Sequence, residues 1–310
     1  MVYDSQMKYQ TLKIDEIKSF KSGCEMVINN SLAFNNLGTL QSHEDSMLTY
    51  CTEPHFFEIA RHKHNVVATF IKKEDVPLDS EISFIFSDNP MLDFFLFHTY
   101  LVENTDFYGI DEPTQIASSA NIHPRAYIAE KNVKISEKVT VCANAVIMEN
   151  TVIKPGVYVG PGTIVGIDGS QTINYGEKKN FRIPHAGGVC IDENTFIGAN
   201  SVIVKSIFRE FTYVGENVTI GNLVNIGHNC KIGDDVMILA NAALCGSTIV
   251  MQGARISPGA VVSNGKIIGK DSWVTIGAVV TKDVEKGQRV SGNFAIDHRK
   301  LLKTISKMNK

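Results

Sequence analysis

Cysteine is scarce in this chain: Cys24, Cys51, Cys142, Cys190, Cys230 and Cys245 lie scattered, without close pairs. No disulfide framework is implied, and reduced thiols are expected. Charge of one sign is lacking too, since 33 acidic and 30 basic residues leave a formal −3. That balance has no basic excess to draw the protein to nucleic acid or anionic lipid. Long apolar runs are missing. The most apolar stretch, Met91 to Val102, is too short to span a bilayer and carries Asp93 and His98, so it reads as a buried helix with no membrane crossing. The opening MVYDSQMKYQ holds no apolar run that could serve as an export signal, which makes the cytoplasm the expected compartment. What the 310 residues do allow is two or three packed units with a substantial core.

A period of six is present. Aliphatic residues recur at Ile135, Val141, Ile147, Ile153, Val159 and Val165, again at Ile191, Ile197 and Ile203, and then without a slip from Val214 to Val280. Weaker members at Ile116, Ile122 and Ile128 extend the series backwards. Six fits neither a helix nor an alternating strand; it fits a short strand plus a corner, three of which close one triangular coil. The fold class is therefore mainly β: a parallel β-helix of roughly eight coils, on the order of 40 Å long at strand spacing. Its inward aliphatic residues stack in ladders with an eighteen-residue repeat. The break between Val165 and Ile191, with Gly169, Tyr175, Lys178, Lys179 and Pro184, reads as a loop leaving the prism.

Three regions are expected. Residues 1–110 form an α/β domain, with strands at Val66–Ile71 and Ile82–Phe86 and a helix opened by Asn89-Pro90, a cap followed by proline at the first position. Residues 111–290 hold the β-helix. Residues 291–310 turn through Gly292 into a short C-terminal helix from about Ile296, in a tail where residues 282–310 carry eight Lys/Arg against three Asp/Glu.

The run Gly166-Ile167-Asp168-Gly169, then Arg182-Ile183-Pro184-His185-Ala186-Gly187-Gly188-Val189, then Asn222-Leu223-Val224-Asn225-Ile226-Gly227-His228-Asn229 resembles UDP-3-O-acylglucosamine N-acyltransferase of lipid A synthesis. Ser87-Asp88-Asn89-Pro90 is similar to that family's nucleotide-contacting segment. Within this wider group the chain looks closest to the trimeric nucleotide-sugar N-acyltransferases, such as the enzyme that acylates dTDP-4-amino-4,6-dideoxyglucose in anthrose synthesis. The resemblance implies a left-handed prism, a homotrimer, acyl-CoA as donor and a nucleotide-linked aminosugar as acceptor. Asn89, His185 and Asn222 lie in these motifs and are candidates for substrate binding, and His98 on the apolar helix is a further candidate. Two departures point away from lipid A and its acyl carrier protein donor: Ser170 and Gln171 stand where that enzyme has aromatic residues, and Gly265 where it has a second histidine. Phe294 also replaces the usual proline, a substitution without explanation.

N-acylation asks an amine to lose a proton and attack a thioester, so a neutral imidazole near pH 7 is a suitable base. His228 follows the glycine of a hexad and should project outward from a corner, as a catalyst or as a residue bonded across a subunit seam. In its column, Gly246, Asn264 and Lys282 follow at successive eighteen-residue steps. Gly246 either leaves a lane for the pantetheine arm of coenzyme A or simply makes a turn. Lys282, on the order of 14 Å away, either meets phosphate or is a solvated corner. Coenzyme A is expected along these later coils, against backbone near Gly246, Gly277 and Ala278. His185 and His98 divide between substrate contact and packing, while His62 and His64 belong to a charged surface.

Two further readings compete. A zinc enzyme on the same prism needs three converging imidazoles, and His123, His185 and His228 are widely separated in sequence, so no metal is expected. A non-enzymatic sugar-nucleotide-binding scaffold would have no use for a corner histidine beside a full first domain.

Overall fold

The computed structural model describes residues 11–13, 17–21, 24–29, 33–42, 45–76, 81–109, 111–175, 178–292 and 299–300. The six-residue period becomes a left-handed parallel β-helix. Short strands line up in three parallel sheets of eight, nine and eight members, one for each face of the prism. The first face starts at Gln115–Ile116, the second at Asn121–Ile122 and the third at Tyr127–Ile128. Ile226, Leu244, Val262 and Val280 are partners in successive coils of the third face, and all are buried in the prism core. Each such side chain contributes roughly 1.5–3 kcal/mol by leaving water. Three polar members of the inner ladder satisfy their hydroxyls on the next coil: Thr163, Thr195 and Ser201 donate to the carbonyls of Gly198, Gly215 and Gly221. Asparagine serves the corners. Asn132, Asn150 and Asn229 take the left-handed conformation with φ near +59°, which a short polar side chain tolerates.

Ahead of the prism, a five-stranded sheet runs in the order Met26–Val27, Ser83–Phe86, Val66–Ile71, Met47–Tyr50, Asn36–Leu37. Only the Met26–Val27 edge is antiparallel. Helices α1 (Ile17–Phe20), α2 (Pro54–Arg61) and α3 (Pro90–Asn104) accompany it. The Asn89 side chain caps α3 by accepting the Leu92 N–H at 3.2 Å, with Pro90 at the first position. Phe94, Phe97 and Leu101 bury the inner side of α3. No helix among the described residues is long and apolar enough to cross a membrane. The C-terminal helix expected from about Ile296 lies outside the described residues, save for 299–300.

Both breaks in the period are structured. The first is not a plain loop: Thr172–Tyr175 and Lys178–Arg182 pair as an antiparallel hairpin, with Ile173 opposite Phe181. The second, residues 205–210, carries Ile207 and Phe208. Ile173, Ile183, Ile207 and Phe208 are buried in one core with Phe34, Phe70, Phe94 and Phe97 of the first unit, so the excursions weld sheet and prism together. Gly187 makes the return possible, because a Cβ there would stand 2.1 Å from the Phe208 carbonyl oxygen.

Candidate active site

The prism has three edges, and chemistry-bearing residues collect on one. The hairpin excursion leaves after Ile164–Ile167 on the third face and returns at Gly188–Ile191 on the first. Residues 205–210 leave after Val202–Val204 and return at Phe211–Val214, across the same third-to-first edge. His228 sits there too, between Asn225–Ile226 and Lys231–Ile232. The eighteen-residue register keeps Gly246, Asn264 and Lys282 on this edge, as the sequence column predicts.

The space beside Gly246 is not the lane the sequence suggests. A Cβ at Gly246 would lie 2.3 Å from His228 Nε2 and 2.4 Å from its Cε1, so the glycine seats the imidazole itself. The ring is fixed from the other side as well: Nδ1 is 2.9 Å from Asn229 Oδ1, and the His185 ring meets it edge-on with centroids 5.6 Å apart. Nε2 makes no hydrogen bond with the described residues. Burial lowers the His228 pKa, against the opposing pull of the Asn229 bond and the Glu210 charge. The ring is neutral near pH 7, with one nitrogen anchored and the other bare.

Around it stands a shell of charge. Glu210 accepts from Asn229 Nδ2, lies 3.3 Å from Lys231 Nζ, and meets the Ser42 hydroxyl of the first unit at 3.5 Å. Behind His185, Asp168 pairs with Lys205 at 2.9 Å and accepts the His185 N–H at 3.4 Å. Burial pushes the Asp168 pKa up, but Lys205 outweighs it and the net shift is downward. Burial likewise holds His185 at about 4 despite Asp168 nearby. Its Nδ1 lies 3.2 Å from the Ile183 carbonyl oxygen, while Nε2 is buried without a partner among the described residues. An open cleft of about 370 Å³ adjoins this pair, lined by Glu103, Met148, Ile167, Asp168, Arg182 and Pro184 among others.

Several sequence candidates fall elsewhere. His98 is fully buried, its Nδ1 2.9 Å from the Tyr108 hydroxyl and its Nε2 2.9 Å from the Pro184 carbonyl oxygen. Burial lowers its pKa to about 4. It cannot touch a substrate; it ties α3 to the loop that carries His185. Asn222 lies on the second-to-third edge, where its Oδ1 accepts the Ala199 N–H at 2.8 Å, so it props a corner away from His228. Gly277 and Ala278 share that edge, across the third face from Gly246. Ala278 points inward, with its N–H bonded to Thr275 and its carbonyl to Val261, so neither its side chain nor its amide is available to a donor. Gly277 has open space where a Cβ would stand. Asn89 is exposed but spends its side-chain oxygen on the α3 cap. Lys282 is exposed. Sequence reasoning missed Glu210, Lys205 and Lys231; the one available signal was that Arg209-Glu210 interrupts the hexads with charge. Among the described residues no cluster of His, Cys, Asp and Glu is arranged to hold a metal ion.

Residues 211–242 and 229–264, in the later coils of the prism, match the family described as bacterial transferase hexapeptide (six repeats). Among solved structures, the chain is similar to UDP-N-acetylglucosamine acyltransferase from Arabidopsis, at 22% identity over 63% of this chain and 79% of that one, with a TM-score of 0.44. The enzyme of the same name from Bacteroides fragilis aligns at 22% identity over 56% and 68%, with a TM-score of 0.41. The acetyltransferase domain of PglB from Neisseria gonorrhoeae aligns at 17% over 64% and 63%, with a TM-score of 0.24. No curated protein matches the chain at a significant level.

Proposed function

We propose that the chain is an N-acyltransferase that moves an acyl group from acyl-CoA to the amine of a nucleotide-linked amino-deoxysugar, dTDP-4-amino-4,6-dideoxyglucose or a close analogue. The observation that supports this best is the anchored His228, whose Nε2 is left bare on the edge where both excursions and the first unit converge. In the reaction, Nε2 takes the proton of the amine as its nitrogen attacks the thioester carbonyl. The tetrahedral intermediate then expels the CoA thiolate, which collects that proton from the imidazolium. Burial suits the ring to this task by keeping it unprotonated before the substrate arrives. The nucleotide is assigned to the α3 start, where backbone amides meet phosphate or base. Coenzyme A is assigned to the later coils, with Gly277 and Lys282 as contacts. The working unit is a homotrimer in the cytoplasm, since a donor reaching two edges of the prism is best enclosed by a neighbouring wall.

Release of free thiol from acetyl-CoA or a hydroxyacyl-CoA, with the dTDP-aminosugar as acceptor, tests the reading directly. Turnover with acyl-CoA and none with acyl carrier protein thioesters supports it. Turnover only with the carrier protein and a UDP-acylglucosamine would give the site to lipid A chemistry instead. Asn89→Asp keeps the helix cap but adds a negative charge, so the acceptor KM should rise several-fold. An unchanged KM removes Asn89 from the nucleotide site.

A further inference from the structure

We propose that Glu210 is a positioning residue for His228: acting through Asn229, its carboxylate decides which imidazole nitrogen carries the proton and leaves Nε2 as the accepting one. This rests on the reading of His228 as base. The argument is one of obligate donors and acceptors. The Asn229 amide has two ends, an oxygen that can only accept and an NH₂ that can only donate. Its oxygen end meets the backbone N–H of Ile207 at 3.1 Å, a group that can only donate. Its nitrogen end meets Glu210 Oε1, which as a carboxylate can only accept. Two partners from the same excursion therefore orient the amide the same way round. An amide oxygen facing His228 Nδ1 at 2.9 Å then requires Nδ1 to be the N–H, so the lone pair stands on Nε2.

Glu210 is itself held. Its side chain is 9% exposed and sits 3.3 Å from Lys231 Nζ. Its backbone is locked by a bond from its N–H to Phe208 and one to its carbonyl from Gly188. The Ser42 hydroxyl reaches the same carboxylate at 3.5 Å, so the chain running from the first unit to the imidazole is continuous: Ser42, Glu210, Asn229, His228. Asn229 is held by the preceding coil, since its N–H donates to the Thr212 hydroxyl of Phe211–Val214 at 2.9 Å. The excursion that breaks the repeat thus supplies both groups, Ile207 and Glu210, that the hexads cannot place against a corner asparagine.

The test is spectroscopic and needs no substrate. In the full chain labelled with ¹⁵N-histidine, the His228 signals are assigned by their loss in His228→Asn. The wild-type ring should show one tautomer with the proton on Nδ1. In Glu210→Gln, whose amide can turn an NH₂ toward Asn229, both tautomers should appear, and kcat should fall about 10-fold or more with KM unchanged. A wild-type ring protonated on Nε2 overturns the proposal without any variant, so a Glu210→Gln chain that fails to fold does not shelter it. A single Nδ1–H tautomer and full kcat in Glu210→Gln also overturns it. Should His228→Asn retain turnover while the tautomer results hold, the base reading fails and the positioning role of Glu210 stands.

Discussion

Two edges border the third face of the prism, and they differ in what they tolerate. The second-to-third edge repeats corner after corner without interruption, with turns made at left-handed residues such as Leu223, Asn241, Gly259 and Gly277. The third-to-first edge is broken twice; each break carries apolar side chains into the core of the first unit, the first brings Asp168 to His185, and the second brings Glu210 to Asn229 beside His228. A repeating corner satisfies its own backbone and, through side chains such as Asn222 and Asp234, that of the neighbouring coil, because every coil presents the same short turn. Ionisable groups that must be buried need partners from outside the repeat, and the excursions deliver them.

That contrast can be broken or sharpened by substitution. His228→Asn on the interrupted edge should lower turnover by about 10² to 10⁴, with little change in unfolding free energy. Near-normal turnover from about pH 6 to 9 would instead leave the departing thiolate to collect the proton. Phe208→Ala, at the weld between excursion and first unit, should cost about 3–5 kcal/mol in denaturant unfolding. A loss below about 1 kcal/mol would mean that the first unit and the prism are held together elsewhere.

The pH response sharpens the comparison further. His98 and His185 are neutral and buried in the fold, with pKa values of about 4, whereas in the unfolded chain a histidine binds its proton near pH 6.5. The unfolded state therefore gains protons first, and stability should fall as pH drops from about 6.5 to 4 and level off below. His98→Gln should flatten that fall when denaturation midpoints at several pH values are compared, and an unaltered slope would contradict the burial argument.

Smallest are the effects on the regular edge. Gly259 has φ +67° and open space around it, so Gly259→Ala should cost about 1 kcal/mol through backbone strain alone and leave turnover intact. Gly246→Ala should instead displace the imidazole, which it would meet at 2.3 Å, and reduce turnover. Equal kinetic behaviour of the two variants would erase the distinction between the edges. Leu223 on the regular edge holds φ +59° while 55% exposed; Leu223→Asn should stabilise by a few tenths to about 1 kcal/mol.

Much of this could be read from the residues in order. A ladder of Val214 to Val280 needs no knowledge of distant contacts, since the period itself says which side chains face inward and that position 246 stands over position 228. The Asn89-Pro90 helix start was legible for the same reason: a cap and its donor lie three residues apart. The site was legible only in part. Register placed Gly246 beside His228 but not what fills the space, because the direction of an imidazole depends on Asn229 and His185. His98 read as a candidate for substrate contact because nothing local reveals that Tyr108 and Pro184 take both its nitrogens.

The sequence by itself determined the coil, its inward ladder, its corners and the column that carries His228, because each follows from a short repeat whose physics is complete within neighbouring coils. Only the tertiary structure decided that Phe208 locks the breaks under the first unit, that Glu210 meets Asn229, and that Tyr108 and Pro184 take both nitrogens of His98. Those pairings join residues with no period between them, brought together by closure of the chain around a shared core, and no spacing along the chain records such a closure.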